Sequence, residues 1–159
     1  LARAGVAVTV LPSTDLFLMG RSHDHAVPRG VVPAGPLRAA GVTCSVATNN
    51  VLNPFTPYGD ANLLRMANLY ANVCHVGRPD ELAGCLDMIT TDAARLMRVP
   101  GYGVAVGAPA DLVLLDAPTS AAAVAELAQP LWGMKAGRLT FTRPRPTLHR
   151  PRPSGAPGP

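Results

Sequence analysis

Short apolar runs alternate with long polar stretches through most of this chain. Gly5 to Pro12, "GVAVTVLP", is valine-rich, and its length and β-branching predict a buried strand. The preceding "LARAG" reads as the last turn of a helix. "STDLFLMGRSHDHAVPRGV" follows as a long polar, glycine-containing loop. "PAGPLRAAG" (33–41) is a short helix closed by glycine, and "VTCSVAT" (42–48) is a second buried strand. After the loop "NNVLNPFTPYGD", the stretch 61–77 predicts a helix with Leu63, Met66, Leu69, Tyr70 and Val73 along one face. "RPDELAGCLDMIT" is a further helix, with Pro79 near its start and Glu81 in its first turn. "TDAARLMRV" is another, capped by Thr91 or Asp92.

This order of strand, loop, helix, strand, loop, helix is the βα alternation of a parallel sheet covered on both faces. The pattern then changes. "DLVLLDA" and the two runs within 131–142, around a turn at Lys135 to Gly137, predict short strands of a small separate sheet, with a helical stretch at "TSAAAVAELAQ". The divisions expected are 1–100, 101–143 and a Pro/Arg-rich tail, 144–159, that is disordered or locally polyproline II.

Composition narrows the function classes. The chain has 159 residues and 48% hydrophobic residues, enough for a buried core. Its net charge of +4 is carried by Arg143, Arg145, Arg150 and Arg152, and without these four the basic and acidic residues balance. The basic signal therefore belongs to the tail, and no nucleic-acid partner is expected. Cys44, Cys74 and Cys85 form no CxxC pair and read as reduced thiols packed in a cytoplasmic protein. No apolar run reaches the roughly 18 residues of a membrane span, so no membrane partner is expected. The motifs of the zinc deaminases that act on nucleic acids, His-x-Glu and Pro-Cys-x-x-Cys, do not occur.

"GYGVAVGAPADLVLLDA" resembles the C-terminal signature of the amidohydrolase superfamily, and "TTDAARLMRV" resembles the helix before it. "TNNVLNPFTPYGDANLLRMANLYANVCHVG" is similar to the segment after the eighth barrel strand in bacterial cytosine deaminases, and "VLPSTDLFLMGR" to the seventh strand and its loop. The resemblance covers residues 1 to 142. It implies an α/β fold: the C-terminal part of a (β/α)8 TIM-type barrel (its last two strands and following helices), plus strands of a small β-domain. It implies a C-terminal fragment of a protein of about 400 residues. That protein would be a metal-dependent hydrolase acting on a C–N bond of a cyclic amidine or amide, a small heterocycle. A divalent metal, zinc or iron, is expected in the full-length protein and none in the fragment, which on its own is expected to fold poorly and to be inactive. A homo-oligomer is compatible with the full-length protein.

By the same resemblance, Asn49 stands where the family has its metal-binding aspartate, and Asn50 where it has a second acid. Asparagine offers a neutral oxygen and cannot act as a base. Three readings stay open: activity with an altered proton relay or metal site, a relative that has lost hydrolysis, or a residue that merely starts a turn. Phe55 aligns with an aromatic that closes over a flat ring, with a plain core aromatic as the alternative, and Asn50 and Phe55 are the candidate substrate contacts. The His-x-His of "GRSHDHAVPRG" is the obvious lure. However, His23 and His25 follow the seventh strand, where the family places no ligand, and Pro12 ends that strand well before them. Asp24, Arg21 and Arg29 suit a solvated loop, with approach to the substrate mouth as the functional alternative. Asp15 and Arg21 could reach the mouth but read more simply as a loop salt bridge, and His75 as a helix-end residue. The alternatives to an enzyme are an inactive relative and a small interaction protein with a basic proline-rich tail.

Overall fold

The structure, a computed structural model, describes residues 1–28 and 30–149. Arg29 and the tail from Arg150 lie outside the described residues. A short 3-10 helix, Ala2–Ala4, precedes β1 (Val8–Val10). Then come α1 (Pro12–Leu18), α2 (Ala34–Ala39) and β2 (Cys44–Val46). Three helices follow: α3 (Leu63–Val73), α4 (Pro79–Ile89) and α5 (Thr91–Leu96). The last part holds β3 (Leu112–Leu115), α6 (Ser120–Ala125), β4 (Pro130–Lys135) and β5 (Arg138–Thr142).

β1 and β2 pair in parallel, with Val8 opposite Cys44 and Val10 opposite Val46. Val10, Cys44 and Val46 face the helices and are buried with Met66, Ala67, Tyr70, Cys85 and Met88. On the other face the hydroxyls of Thr9 and Ser45 bond to each other at 2.8 Å. β3, β4 and β5 form a separate antiparallel sheet. The helix between its strands does not stay with that sheet. α6 packs against α4 and α3, burying Ala123 and Val124, and Asn68 of α3 donates to the Val124 carbonyl at 2.8 Å.

Several sequence expectations shift in register. The stretch after β1 is not a loop throughout: Pro12 sits in the first turn of α1, its fixed φ suiting a helix start. The buried face of α3 is rotated toward Leu64, Met66, Ala67, Tyr70 and Ala71, leaving Leu63 at 37% exposure. Small alanines let α3 approach its neighbours, which an apolar-size pattern overlooks. α5 is preceded by Thr90 rather than capped by Thr91 or Asp92; Thr90 bonds back to the Leu86 carbonyl, closing α4.

Asp92 has a different task. Its side chain, 9% exposed, accepts from Arg38 of α2 at 2.9 Å and from Arg95 at 2.8 Å. Arg38 reaches it past Gly84 of α4, where a Cβ would lie 2.4 Å from the guanidinium. In the second sheet the Phe141 ring covers Gly133 on the facing strand, where a Cβ would lie 2.3 Å from the ring. The turn between β4 and β5 is held by Asp111, which accepts from Lys135 and from the Ala136 amide.

Asp92→Asn removes the charge that both arginines share and weakens two charge-assisted bonds. It is expected to cost about 2–3 kcal/mol of stability, measured as a lower urea midpoint at unchanged slope.

Candidate functional site

Residues immediately after β1 and β2 are brought together by side chains. α1 starts two residues past β1, so Ser13 and Thr14 in its first turn are buried, Thr14 against the loop after β2. That loop departs from β2 through Ala47 and Thr48 and bends at Asn49, whose φ is 60°. Asparagine is among the few side chains that adopt left-handed backbone readily. Leu52 (φ 53°) continues the bend. Asn53 and Thr56 then exchange backbone bonds of 3.1 Å, and Asn53 Oδ1 accepts from the amides of Phe55 and Thr56. This Asx turn holds Phe55 outward, 58% exposed.

A chain of polar groups fastens the turn. Asn50 Nδ2 donates to Thr14 Oγ1 at 3.4 Å, the Thr14 and Thr56 hydroxyls meet at 3.1 Å, and Thr56 donates to the Phe55 carbonyl at 2.8 Å. Asn53 Nδ2 donates to Asn50 Oδ1 at 2.9 Å. The Asn50 amide is therefore bonded to α1 through its nitrogen and to its own loop through its oxygen. Asn49, by contrast, is exposed, and its side chain makes no hydrogen bond to another described residue. A second contact ties the same two segments: the rings of Phe17 in α1 and Tyr58 meet edge to face, centroids 5.6 Å apart. Arg21 stacks over Phe17, 4.5 Å from the ring centre, instead of forming the loop salt bridge expected with Asp15.

The structure groups Asn49, Asn50 and Phe55 in one loop and leaves the histidines elsewhere. His23 and His25 lie on an exposed loop; His25 bonds its neighbour Asp24, at 2.6 Å, which holds the Asp24 carboxyl below its usual range. His75 follows α3 with φ 55°, the left-handed residue that ends the helix. Among the described residues, no three His, Cys, Asp or Glu side chains are grouped as a metal ion would require. Sequence reasoning did not single out Thr14, Thr56, Phe17 or Tyr58. The Asx turn beginning at Asn53 was the available signal for Thr56; Thr14 had none, because its stretch read as loop.

A cavity of about 560 Å³ opens between α2, α3 and α4, lined by residues including Arg38, Tyr70, Cys74, His75 and Cys85. It contains none of the three loop residues. Burial pushes the Tyr70 hydroxyl up to about 12, and that hydroxyl accepts from the Ala34 amide at 2.8 Å. Burial also pushes the Cys85 thiol up to about 11 and raises Cys44 and Cys74. Thiols so shifted are poor nucleophiles, consistent with packing roles.

Comparison with known proteins places these loops in context. The Amidohydrolase family model matches residues 1–141. The chain is 36% identical over 119 residues to a pterin deaminase from Rhizobium rhizogenes, covering 73% of this chain and 26% of that protein. It superposes on 5-methylcytosine deaminase from Klebsiella pneumoniae, crystallised with 5-fluorocytosine, with a TM-score of 0.86 and 30% identity, over 92% of this chain and 36% of that one. N-isopropylammelide isopropylaminohydrolase from Burkholderia multivorans gives a TM-score of 0.71 and 34% identity, over 87% and 32% of the two chains. The chain thus spans between a quarter and two fifths of the length of these relatives.

The thiols supply a test. Cys85 is expected to react with a disulfide reagent at pH 8 far more slowly than a free thiol, because about one in a thousand is ionised; urea should release all three. Since the folded state holds the Cys85 proton more tightly, this group stabilises the fold below pH 9, and that contribution is lost as pH rises from 9 to about 11.

Proposed function

The chain belongs to the Amidohydrolase family, and on that premise we propose that it is the C-terminal part of a hydrolytic, deaminase-like enzyme. The proposed reaction breaks a C–N bond of a small cyclic amidine or amide. In this reading β1 and β2 are the last two strands of a (β/α)8 barrel, and residues 101–143 belong to a small β-domain. The loops after both strands then lie at the barrel face where such enzymes bind substrate. The observation that supports this most is the loop after β2: it is braced at Asn50 and Thr56, yet leaves the Asn49 amide and the Phe55 ring exposed.

The described residues do not by themselves fit a divalent metal. Asn49 offers one neutral oxygen, and a zinc site takes three or four ligands of histidine, cysteine or carboxylate type. The metal, zinc or iron, would therefore be held by ligands outside these residues. What this chain supplies is recognition. Phe55 is placed to stack on a planar heterocycle. Asn49 can donate to or accept from a substrate amide, and it adds no negative charge. Asn50 holds the Phe55 turn with one N–H and its oxygen, and its second N–H is the one that would donate to substrate. A group other than residue 49 must carry the proton that a family aspartate would take.

A second reading, a relative without hydrolysis, draws support from the same Asn49. Ammonia release from pterin and cytosine by the protein in its natural length separates the two. We expect turnover, reduced about a hundredfold in Asn49→Ala. Asn49→Asp should add an acidic limb to the pH–rate profile, since only the aspartate titrates. Activity appearing solely in Asn49→Asp would establish the non-hydrolytic reading instead.

A further inference from the structure

We infer that Thr14 is a positioning residue, whose hydroxyl fixes the turn that carries Asn49 and Phe55. The inference rests on the reading of those two as site residues. Thr14 lies in the first turn of α1 and is 8% exposed; Thr56 is 1% exposed. Their hydroxyls join segments 42 residues apart in sequence. The shortest contacts give the bonds a direction. Thr56 donates to the Phe55 carbonyl, so its oxygen accepts from Thr14, and Thr14 in turn accepts from Asn50. Asn50 also accepts from Asn53, whose own oxygen caps the amides of Phe55 and Thr56. Bonds aligned in this way reinforce one another in a buried setting.

The chain of bonds brackets Asn49 on its C-terminal side, and β2 holds it on the other. The Thr14 hydroxyl also donates, at 3.4 Å, to the carbonyl of Thr48, the residue before Asn49, so its single proton is shared between Thr56 and Thr48. One hydroxyl of α1 thus touches residues before and after the left-handed bend. Removing it leaves the Phe17–Tyr58 ring contact to tie the loop to α1. Asn49 and Phe55 would remain, but without a fixed separation.

The test uses the protein in its natural length. Thr14→Val keeps the shape and deletes the hydroxyl; Thr14→Ser keeps the hydroxyl. Hydrogen exchange of the amides of residues 49–56 is read together with kcat and KM for ammonia release. In Thr14→Val we expect exchange there to rise at least about tenfold and kcat/KM to fall about ten- to a hundredfold, the loss shared between kcat and KM because Asn49 and Phe55 contact the substrate. Thr14→Ser is expected to restore both. Thr14→Cys, which keeps the volume and weakens the bond, serves if the valine variant does not fold. Exchange and kcat/KM unchanged in the hydroxyl-deleted variant, while Asn49→Ala loses turnover, would overturn the positioning role alone. Turnover unaltered by Asn49→Ala would overturn the site assignment, and the positioning role with it.

Discussion

A parallel pair of three-residue strands makes few hydrogen bonds, and in this chain everything near the site hangs from such a pair. Bonds such as Val8 to the Thr43 carbonyl and Ala47 to the Val10 carbonyl set the register, but they do not govern what happens beyond the strand ends. Parallel strands also need a crossover, so the loops after β1 and β2 are distant in sequence although adjacent in space. Their relative position has to be set by side chains. The hydroxyl chain from Asn50 to Thr56 and the Phe17–Tyr58 ring pair meet that requirement.

The same constraint operates on the helical side. α2 belongs to the crossover between the strands, and α5 follows after two further helices, yet Arg38 and Asp92 join them, the guanidinium passing close over Gly84. α6 is inserted between strands of the second sheet but buries its alanine and valine against α3 and α4. The two sheets are therefore connected through a shared helical layer rather than stacked on each other, and the strand loops stand on a base that is braced from several directions.

Much of this was legible in the residues. The valine-rich runs announced both parallel strands, Pro79 marked the start of α4, and the glycine turn at 137 marked the β4–β5 hairpin. The signature around "ADLVLLDA" and the loop around Asn49 pointed to the family that the comparisons then showed. What stayed hidden was long-range pairing. A threonine beside an aspartate after a proline looks like loop, and nothing local says that its hydroxyl meets another 42 residues on. The face of α3 was misjudged for a related reason: alanines carry little hydrophobic signal, but close helix approach favours them. Asp92 looked like a cap because caps are local, whereas its partner Arg38 lies in another helix.

Gly133 and Phe141 illustrate how such pairing constrains descent. The ring occupies the space that any side chain at 133 would need, and the two residues face each other across adjacent strands. A side chain at 133 would have to displace that ring, which is 41% exposed and has solvent to swing into. A larger residue at 133 is therefore accommodated most easily in a lineage whose residue 141 is already small, so the history of one site conditions the other.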